Sequence, residues 1–194
     1  MVVRPLGALE PLPLVVVRTG QTPVRQGAPC TDLWVIESGV FAATLVDPDG
    51  RSFLVDLLGP GDGLGQPGQL ASPWTATALR PARLRPCTDE ASLAMLAVRT
   101  ERAITMAAQL AWFGVAERIE RRLVDLANRL GRPVPGGVVL PIVITQDDLA
   151  SMVGATRESA NRAIRTLLDR GSIELRGRGR YVVRTQLRLV PDAP

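Results

Sequence analysis

Short apolar runs alternate with turn residues over the first half of the chain. The runs are rich in Val, Leu and Phe, and they occupy residues 13–19, 33–39, 40–46 and 51–58. Gly, Pro and Asp bound these runs, which is typical of short β-strands. Residues 37–39 and 47–50 carry turn-forming types and predict two hairpin connections. The pattern predicts an antiparallel sandwich or barrel.

The periodicity changes near Asp89. No proline interrupts residues 89–130, and apolar positions recur there at helical spacing. These positions are Ile104, Ala108, Ala111, Val115, Ile119, Leu123, Leu126 and Leu130. They predict a short helix and then a long one over residues 99–130, with a length of about 48 Å. Because one small domain does not need so long a helix, we expect it to pair with the same helix of a second chain.

Glycine and proline end this helical pattern. Gly131 follows the last apolar position, and Pro133 and Pro135 come shortly after it. Residues 132–137 therefore predict a hinge between two domains. Residues 138–144 are rich in Val and Ile and predict a strand.

Residues 145–170 carry the signals of two helices joined by a tight turn. Thr145 and Asp148 approximate a capping box at the start of the first helix. Gly154 ends that helix, and Thr156 caps a second one. Helices of about 8 and 15 residues with a glycine-containing turn predict a helix-turn-helix.

The second helix has an apolar inner face and a polar outer face. Its outer positions are Arg157, Glu158, Asn161, Arg162 and Arg165. Arg can donate two hydrogen bonds to guanine, and Glu can accept one from cytosine. A solvated helix with ion pairs between neighbouring turns is the alternative. The basic tip at 176–179, between two short strands, predicts a wing and favours the DNA-binding interpretation.

The distribution of charge supports the same interpretation. The chain has 194 residues and a formal net charge of +4, and all 23 of its cationic side chains are Arg. Residues 1–110 hold 9 Arg and 10 acidic residues, whereas residues 111–194 hold 14 Arg and 9 acidic residues. An Arg-rich end on a near-neutral body points to nucleic acid as a partner.

Two scarce residue types narrow the chemistry. The chain has no His and only two Cys, Cys30 and Cys87. Catalytic Ser-His-Asp triads and His-based metal sites are therefore excluded, and two thiols cannot complete a four-cysteine site. We expect no metal, no cofactor and no enzymatic activity; a cupin-like β-roll enzyme is the alternative, although its metal usually needs His. The two cysteines are either packing residues or a redox pair.

No segment resembles a membrane helix or a signal peptide. The longest apolar runs fall well short of the roughly 18 residues that a membrane span requires. The first 20 residues contain three prolines and Glu10, which is atypical of a secretory signal. The sequence therefore predicts a cytoplasmic protein that does not associate with a membrane.

The segment TQDDLASMVGATRESANRAIRTLLDRGSI resembles the winged helix-turn-helix of the CRP/FNR superfamily of transcription regulators. LWVIESGVFAATLVDPDGRSFLVDLLGPGDGLG is similar to that family's cyclic-nucleotide-binding β-roll. The resemblance implies an α+β fold: an antiparallel β-roll over residues 1–98, a dimerisation helix over 99–131, the hinge at 132–137, and a winged helix-turn-helix over 138–194. It also implies a homodimer on palindromic double-stranded DNA, with RNA polymerase as a further partner.

The same resemblance implies roles for individual residues. Arg157, Glu158 and Arg162 match the Arg-Glu-x-x-x-Arg pattern with which the cAMP-receptor subgroup reads a GTGA-type half-site. Contacts to DNA phosphates are expected from Thr145, Gln146, Thr156, Arg178 and Arg180.

The expected effector pocket departs from the family's pattern. Cyclic-nucleotide binders carry a Gly-Glu pair for the ribose and an Arg-Ser/Thr pair for the cyclic phosphate. The corresponding residues here are Gly65-Gln66 and Trp74-Thr75, and Pro67 removes a backbone donor. Because Trp cannot pair with a phosphate charge, we expect that cAMP is not the effector. The alternatives are an unknown small molecule and a repressor that needs no effector.

Overall fold

The computed structural model describes residues 14–30, 32–66, 70–87 and 89–184. Its fold is α+β. Within these residues, the N-terminal half contains seven strands: β1 (Val15–Val17), β2 (Leu33–Ser38), β3 (Phe41–Val46), β4 (Ser52–Leu58), β5 (Gly63–Gly65), β6 (Thr75–Ala78) and β7 (Ala82–Pro86). They form two antiparallel sheets, with strand orders β1-β7-β2-β5 and β4-β3-β6. The antiparallel β-roll expected from the sequence is therefore confirmed.

Alternating side chains place the core between these two sheets. Along β7, Ala82 and Leu84 are buried while Arg83 and Arg85 are exposed. This alternation is typical of a strand with one face in the core. Phe41 and Leu64 pack in the same cluster and are fully buried.

Only one of the two predicted hairpins forms. Residues 47–50 connect β3 to β4, and the Gly50 N–H donates to the carbonyl of Asp47 at 3.0 Å. The segment 37–39 instead carries the chain from one sheet to the other, so the predicted hairpin there is wrong. Gly39 adopts φ +100° and lies so close to Ala82 that a β-carbon would collide with it. Glycine therefore permits this crossover.

The long helix predicted over residues 99–130 is two helices. The first, α1 (Asp89–Trp112), joins the predicted short helix to the first part of the predicted long one, and the second is α2 (Val115–Leu130). Gly114 separates them with extended backbone at φ −68° and ψ 164°. Glycine costs about 1 kcal/mol relative to alanine inside a helix, so the break is inexpensive there. It also lets the apolar face of α2 pack against α4, which is described next.

The C-terminal half contains the predicted helix-turn-helix and wing. Its helices are α3 (Gln146–Met152) and α4 (Arg157–Asp169). Its four strands are β8 (Arg132–Val134), β9 (Gly137–Val139), β10 (Ile173–Arg176) and β11 (Arg180–Val183). They form one antiparallel sheet of order β10-β11-β9-β8.

The predicted hinge and the strand after it are both corrected. Residues 132–137 form β8, the following turn and the start of β9, so they belong to the sheet rather than to a free linker. The strand predicted over 138–144 ends at Val139, because Pro141 cannot donate to a ladder. The chain nevertheless continues alongside β11, where the Ile144 N–H donates to the carbonyl of Gly179 at 2.8 Å.

One apolar core extends through both halves. Leu57 of β4 and Val40 join the buried faces of α2, α3, α4 and β11 in a single cluster. The Leu54 N–H also donates to Ser151 Oγ of α3 at 2.6 Å. The C-terminal half is therefore packed directly on the β-roll.

Buried ion pairs fasten the two helices to the β-roll. Asp56 of β4 forms ion pairs with Arg122 and Arg129 of α2, each at 2.8 Å. Asp62, which precedes β5, receives Arg102 of α1 at 2.7 Å and Arg129 at 3.2 Å. Burial opposes the charge of Arg129, but Asp56 and its other acidic neighbours prevail and raise the pKa of its guanidinium. We call this set of five side chains the ionic cluster.

Candidate nucleic-acid interface and effector pocket

Side-chain caps define the turn between α3 and α4. Thr145 Oγ1 accepts from the Asp148 N–H at 3.0 Å, and the Asp148 carboxylate accepts from the Thr145 N–H, which confirms the predicted capping box. Thr156 Oγ1 accepts from the Ser159 N–H at 3.2 Å. Gly154 adopts φ +60°, as the tight turn requires. The caps and the turn together fix the angle at which α4 leaves the body of the protein.

The outer face of α4 presents the predicted base-reading residues to solvent. Arg157, Glu158 and Arg162 are all exposed. Arg157 Nε lies 3.4 Å from Asp147 Oδ1, and both side chains are more than 60% exposed, so this pair is weak and can exchange for a DNA contact. Asn161 was expected on the same face but is half-buried, and its Oδ1 lacks a donor among the described residues.

The residues predicted to contact DNA phosphates differ in whether their donor groups already have a partner within the protein. The hydroxyls of Thr145 and Thr156 are engaged in the two caps. Gln146 is exposed at the start of α3. Arg178 at the wing tip and Arg180 are exposed as well, and no ion pair to either is found in the described part of the chain. The two wing arginines therefore have the more available charge.

The predicted effector-pocket residues lie at the ends of two strands. Gly65 closes β5, Gln66 follows it half-buried, and Thr75 opens β6 directly after Trp74. Thr75 Oγ1 accepts from the Gln26 N–H at 3.1 Å. Trp74 Nε1 is buried and has no acceptor among the described residues. Pro67, which was expected to remove a donor, lies outside the described residues.

Sequence reasoning missed a cation in this region. Arg99 of α1 donates to the carbonyls of Gly65 at 2.8 Å and Gly63 at 2.6 Å. Its guanidinium also lies 5.3 Å from the centre of the Trp74 ring, within cation–π range. Burial lowers the pKa of Arg99, and the neighbouring Asp62 opposes that effect. The expectation of a pocket without a cation is therefore corrected, although this cation is held by two carbonyls and an indole.

The described residues contain neither a candidate metal cluster nor a candidate membrane span. Within the described ranges, no group of three or more Cys, Asp or Glu side chains could hold a metal ion. No helix there has both the length and the apolar character that a membrane span requires. Cys30 and Cys87 are free thiols.

Comparison with protein families identifies both halves of the chain. Residues 14–95 match the cyclic nucleotide-binding domain, and residues 117–189 match the Crp-like helix-turn-helix domain. The curated protein "CRP-like cAMP-activated global transcriptional regulator" of Mycobacterium tuberculosis is 32% identical over 176 residues, covering 82% of this chain and 79% of that protein. The cAMP-activated regulator Vfr of Pseudomonas aeruginosa is 25% identical over 187 residues, covering 85% of this chain and 86% of Vfr.

Solved structures share the fold. A transcriptional regulator of the CRP/FNR family from Thermus thermophilus aligns with a TM-score of 0.74 and 23% identity, covering 88% of this chain and 93% of that one. FixK2 from Bradyrhizobium japonicum aligns with a TM-score of 0.75 and 19% identity, covering 90% of this chain and 93% of that one.

Proposed function

Because this chain belongs to the CRP/FNR superfamily of transcription regulators, we propose that it binds a palindromic DNA site as a homodimer and reads GTGA-type half-sites. The exposed face of α4 is the observation that carries this proposal. Arg157, Glu158 and Arg162 lie on that face without strong competing contacts. Arg forks suit guanine, and a carboxylate suits the amino group of cytosine.

The wing and the caps supply the contacts that do not depend on sequence. Arg178 and Arg180 extend the basic surface beyond α4, and Gln146 offers a side-chain donor at the start of α3. Thr145 and Thr156 contribute through the backbone geometry that they fix. Contacts to phosphates set the register of the protein on the duplex, whereas the base contacts set the preference for sequence.

An exposed apolar stripe on α1 supports the homodimer. Side chains of α1 that are apolar or small recur at helical spacing on a face that points to solvent: Leu93, Ala97, Ile104, Ala108 and Ala111. Leu93 is 73% exposed and Ile104 is 65% exposed. Trp112, at the end of α1, is 75% exposed. A second copy of the same helix would cover this stripe around a two-fold axis.

The pocket region supports regulation without cAMP. A cyclic phosphate needs a cation and several donors when it leaves water. The two Arg99 amino groups already bind carbonyl oxygens, and Trp74 occupies the position of the family's phosphate-binding Arg. Gln66 stands where the family places Glu. The two curated relatives, from Mycobacterium tuberculosis and Pseudomonas aeruginosa, are named as cAMP-activated regulators, so this proposal separates the chain from them.

A binding experiment tests the proposed function. Fluorescence anisotropy measures the affinity of the full-length protein for a duplex with two GTGA half-sites about 34 Å apart and for a duplex of scrambled half-sites. We expect the palindrome to bind more tightly, at a stoichiometry of two chains per duplex. Equal affinity for both duplexes, or one chain per duplex, would contradict the proposal. Adding cell extract distinguishes a repressor that needs no effector from a regulator that does.

One further partner and a location follow from the same proposal. A regulator that binds promoter DNA acts beside RNA polymerase, and it acts where the chromosome is, in the cytoplasm. Both assignments depend on sequence-specific DNA binding, and its absence would contradict them.

A further inference from the structure

A cleft of about 270 Å³ lies between α1, α2 and the end of α3, away from the pocket region around Trp74. Its apolar wall comprises Val98, Met106, Leu110, Met152 and Val153. Its polar lining comprises four arginines, Arg102, Arg118, Arg121 and Arg122, and two acids, Glu101 and Asp125. We call it the interhelical cleft. Arg102, Arg121 and Arg122 already pair with Asp62, Glu117 and Asp56, so Arg118 is the lining cation whose charge is available to an anion with an apolar body.

Two of these arginines have donors to spare. Arg118 and Arg122 lie one helical turn apart on α2, so they are neighbours on the same face. The Nε–H group of each is buried and has no acceptor among the described residues. The terminal nitrogens of Arg122 already donate to Asp56, Asp125 and the Val55 carbonyl, whereas no ion pair to Arg118 is found in the described ranges. A charged group without a partner is costly when it is partly buried, and an anion in the cleft would supply one for Arg118.

The cleft and the proposed dimer surface lie on different faces of α1. Val98, Met106 and Leu110 face the cleft, whereas Ile104 and Ala108 belong to the exposed stripe. A second chain on the stripe therefore leaves the cleft accessible.

The position of the cleft connects three parts of the protein. Arg102 reaches the β-roll through Asp62, and Met152 and Val153 end the first helix of the DNA-binding motif. Leu110 also lies against the turn, since a β-carbon on Gly154 would come within 3.3 Å of it. An occupant of the cleft would touch α1, α2 and α3 together, so it would bias the angle between them.

We propose that the interhelical cleft binds a compact organic anion, with a carboxylate or phosphate held by Arg118 and an apolar body against Met106 and Leu110. This inference rests on the proposed function, because such a ligand would act as an effector of DNA binding. Both head groups accept the paired hydrogen bonds that guanidinium groups offer. The volume limits the body to about one aromatic ring.

Calorimetry on the full-length protein without DNA tests binding directly. The probes are benzoate, phenyl phosphate, inorganic phosphate and the neutral benzyl alcohol. We expect saturable heat from benzoate or phenyl phosphate and none from benzyl alcohol; the preferred probe identifies the head group. Arg118→Gln should weaken binding about tenfold or more, as expected for a lost charged hydrogen bond. The control Arg83→Gln removes an exposed charge on the β-roll and should leave the affinity unchanged.

A second variant and a crystal locate the ligand. Met106→Trp fills the cleft and should abolish binding even if Arg118→Gln fails to fold. Crystals soaked in 4-bromobenzoate should show anomalous bromine density between α1 and α2. No saturable binding of benzoate or phenyl phosphate, equal binding by the Arg118 and Arg83 variants, or density elsewhere overturns the inference. DNA binding is measured separately by anisotropy. A protein that fails to bind DNA in that measurement would contradict the proposed function, but it would not contradict ligand binding in the cleft.

Discussion

At the residue scale, the arginines of this protein divide by what surrounds them. Arg162 and Arg178 extend into solvent, where a DNA duplex can reach them. Arg122 and Arg129 are largely buried between carboxylates of the ionic cluster. The same side-chain type therefore serves recognition on one surface and cohesion in the interior, and substitutions should separate the two roles.

Replacing Arg162 or Arg178 by alanine should have different consequences for DNA binding. Arg162→Ala should lose about 1–3 kcal/mol per half-site on the palindrome and relax the preference for one base pair. Arg178→Ala should weaken binding to all duplexes alike and reduce the salt dependence by about one counterion per wing. Anisotropy titrations at several salt concentrations, on specific and scrambled duplexes, measure both effects. Equal losses on the two duplexes for Arg162→Ala would show that it does not read a base.

Replacing Asp62 by asparagine should destabilise the fold. Asp62 is 8% exposed and accepts from the Gly59 N–H as well as from Arg102 and Arg129. The substitution removes the nearest carboxylate of Arg102 and one of the carboxylates around Arg129, which keeps Asp56 and Asp125, at a cost of about 3 kcal/mol. Asp47→Asn is the control, because Arg51 at that exposed turn contributes about 1 kcal/mol or less. Urea denaturation at one protein concentration measures both, and similar losses would argue against a structural role for the cluster.

At the scale of the elements, the sequence predicts what local chemistry decides. The caps at Thr145 and Thr156 and the turn at Gly154 lie within a few residues of the helices that they limit, so the helix-turn-helix was predictable. The break at Gly114 was not, because apolar positions continue at helical spacing on both sides of it. Only the packing of α2 on α4 distinguishes two helices from one.

Long-range contacts could not be predicted from the sequence for a related reason. Arg99 binds the carbonyl of Gly65, 34 residues away in the chain. The crossover at Gly39 likewise depends on Ala82 of a distant strand. No local sequence pattern predicts either contact. The position of Arg99 beside Trp74 and the crossover between the two sheets at Gly39 are therefore evident only from the structure. The residues expected to read DNA needed no such contact and were placed correctly on the surface.

The exposed stripe of α1 should hold the dimer together. Ile104→Glu places a charge in the middle of that stripe, where pairing would bury it without a partner. We expect the substitution to shift the protein from dimer to monomer in light scattering at micromolar concentration. Val46→Glu introduces the same charge at a position on β3 that is 42% exposed, and it should leave the mass unchanged. A native protein that is already monomeric would contradict the proposed dimer.

At the scale of the whole molecule, regulation depends on what the β-roll senses. Calorimetry with cAMP at millimolar concentration should give no saturable heat, because Trp74 and the engaged Arg99 leave the phosphate without a free cation. DNA affinity should likewise be the same with and without cAMP. A micromolar dissociation constant together with cAMP-dependent DNA binding would show that the pocket accepts the nucleotide despite these residues.

Leu57 and Val40 share one core with the DNA-binding half. The two halves of this protein should therefore be difficult to exchange with those of another regulator. A hybrid that joins residues 138–184 to the β-roll of another regulator would lose Leu54 and Leu57, which pack against this half. The hybrid would expose apolar surface at the junction unless the new β-roll presented matching side chains. Because the two halves share this interface, a substitution on β4 limits which substitutions α3 can accept.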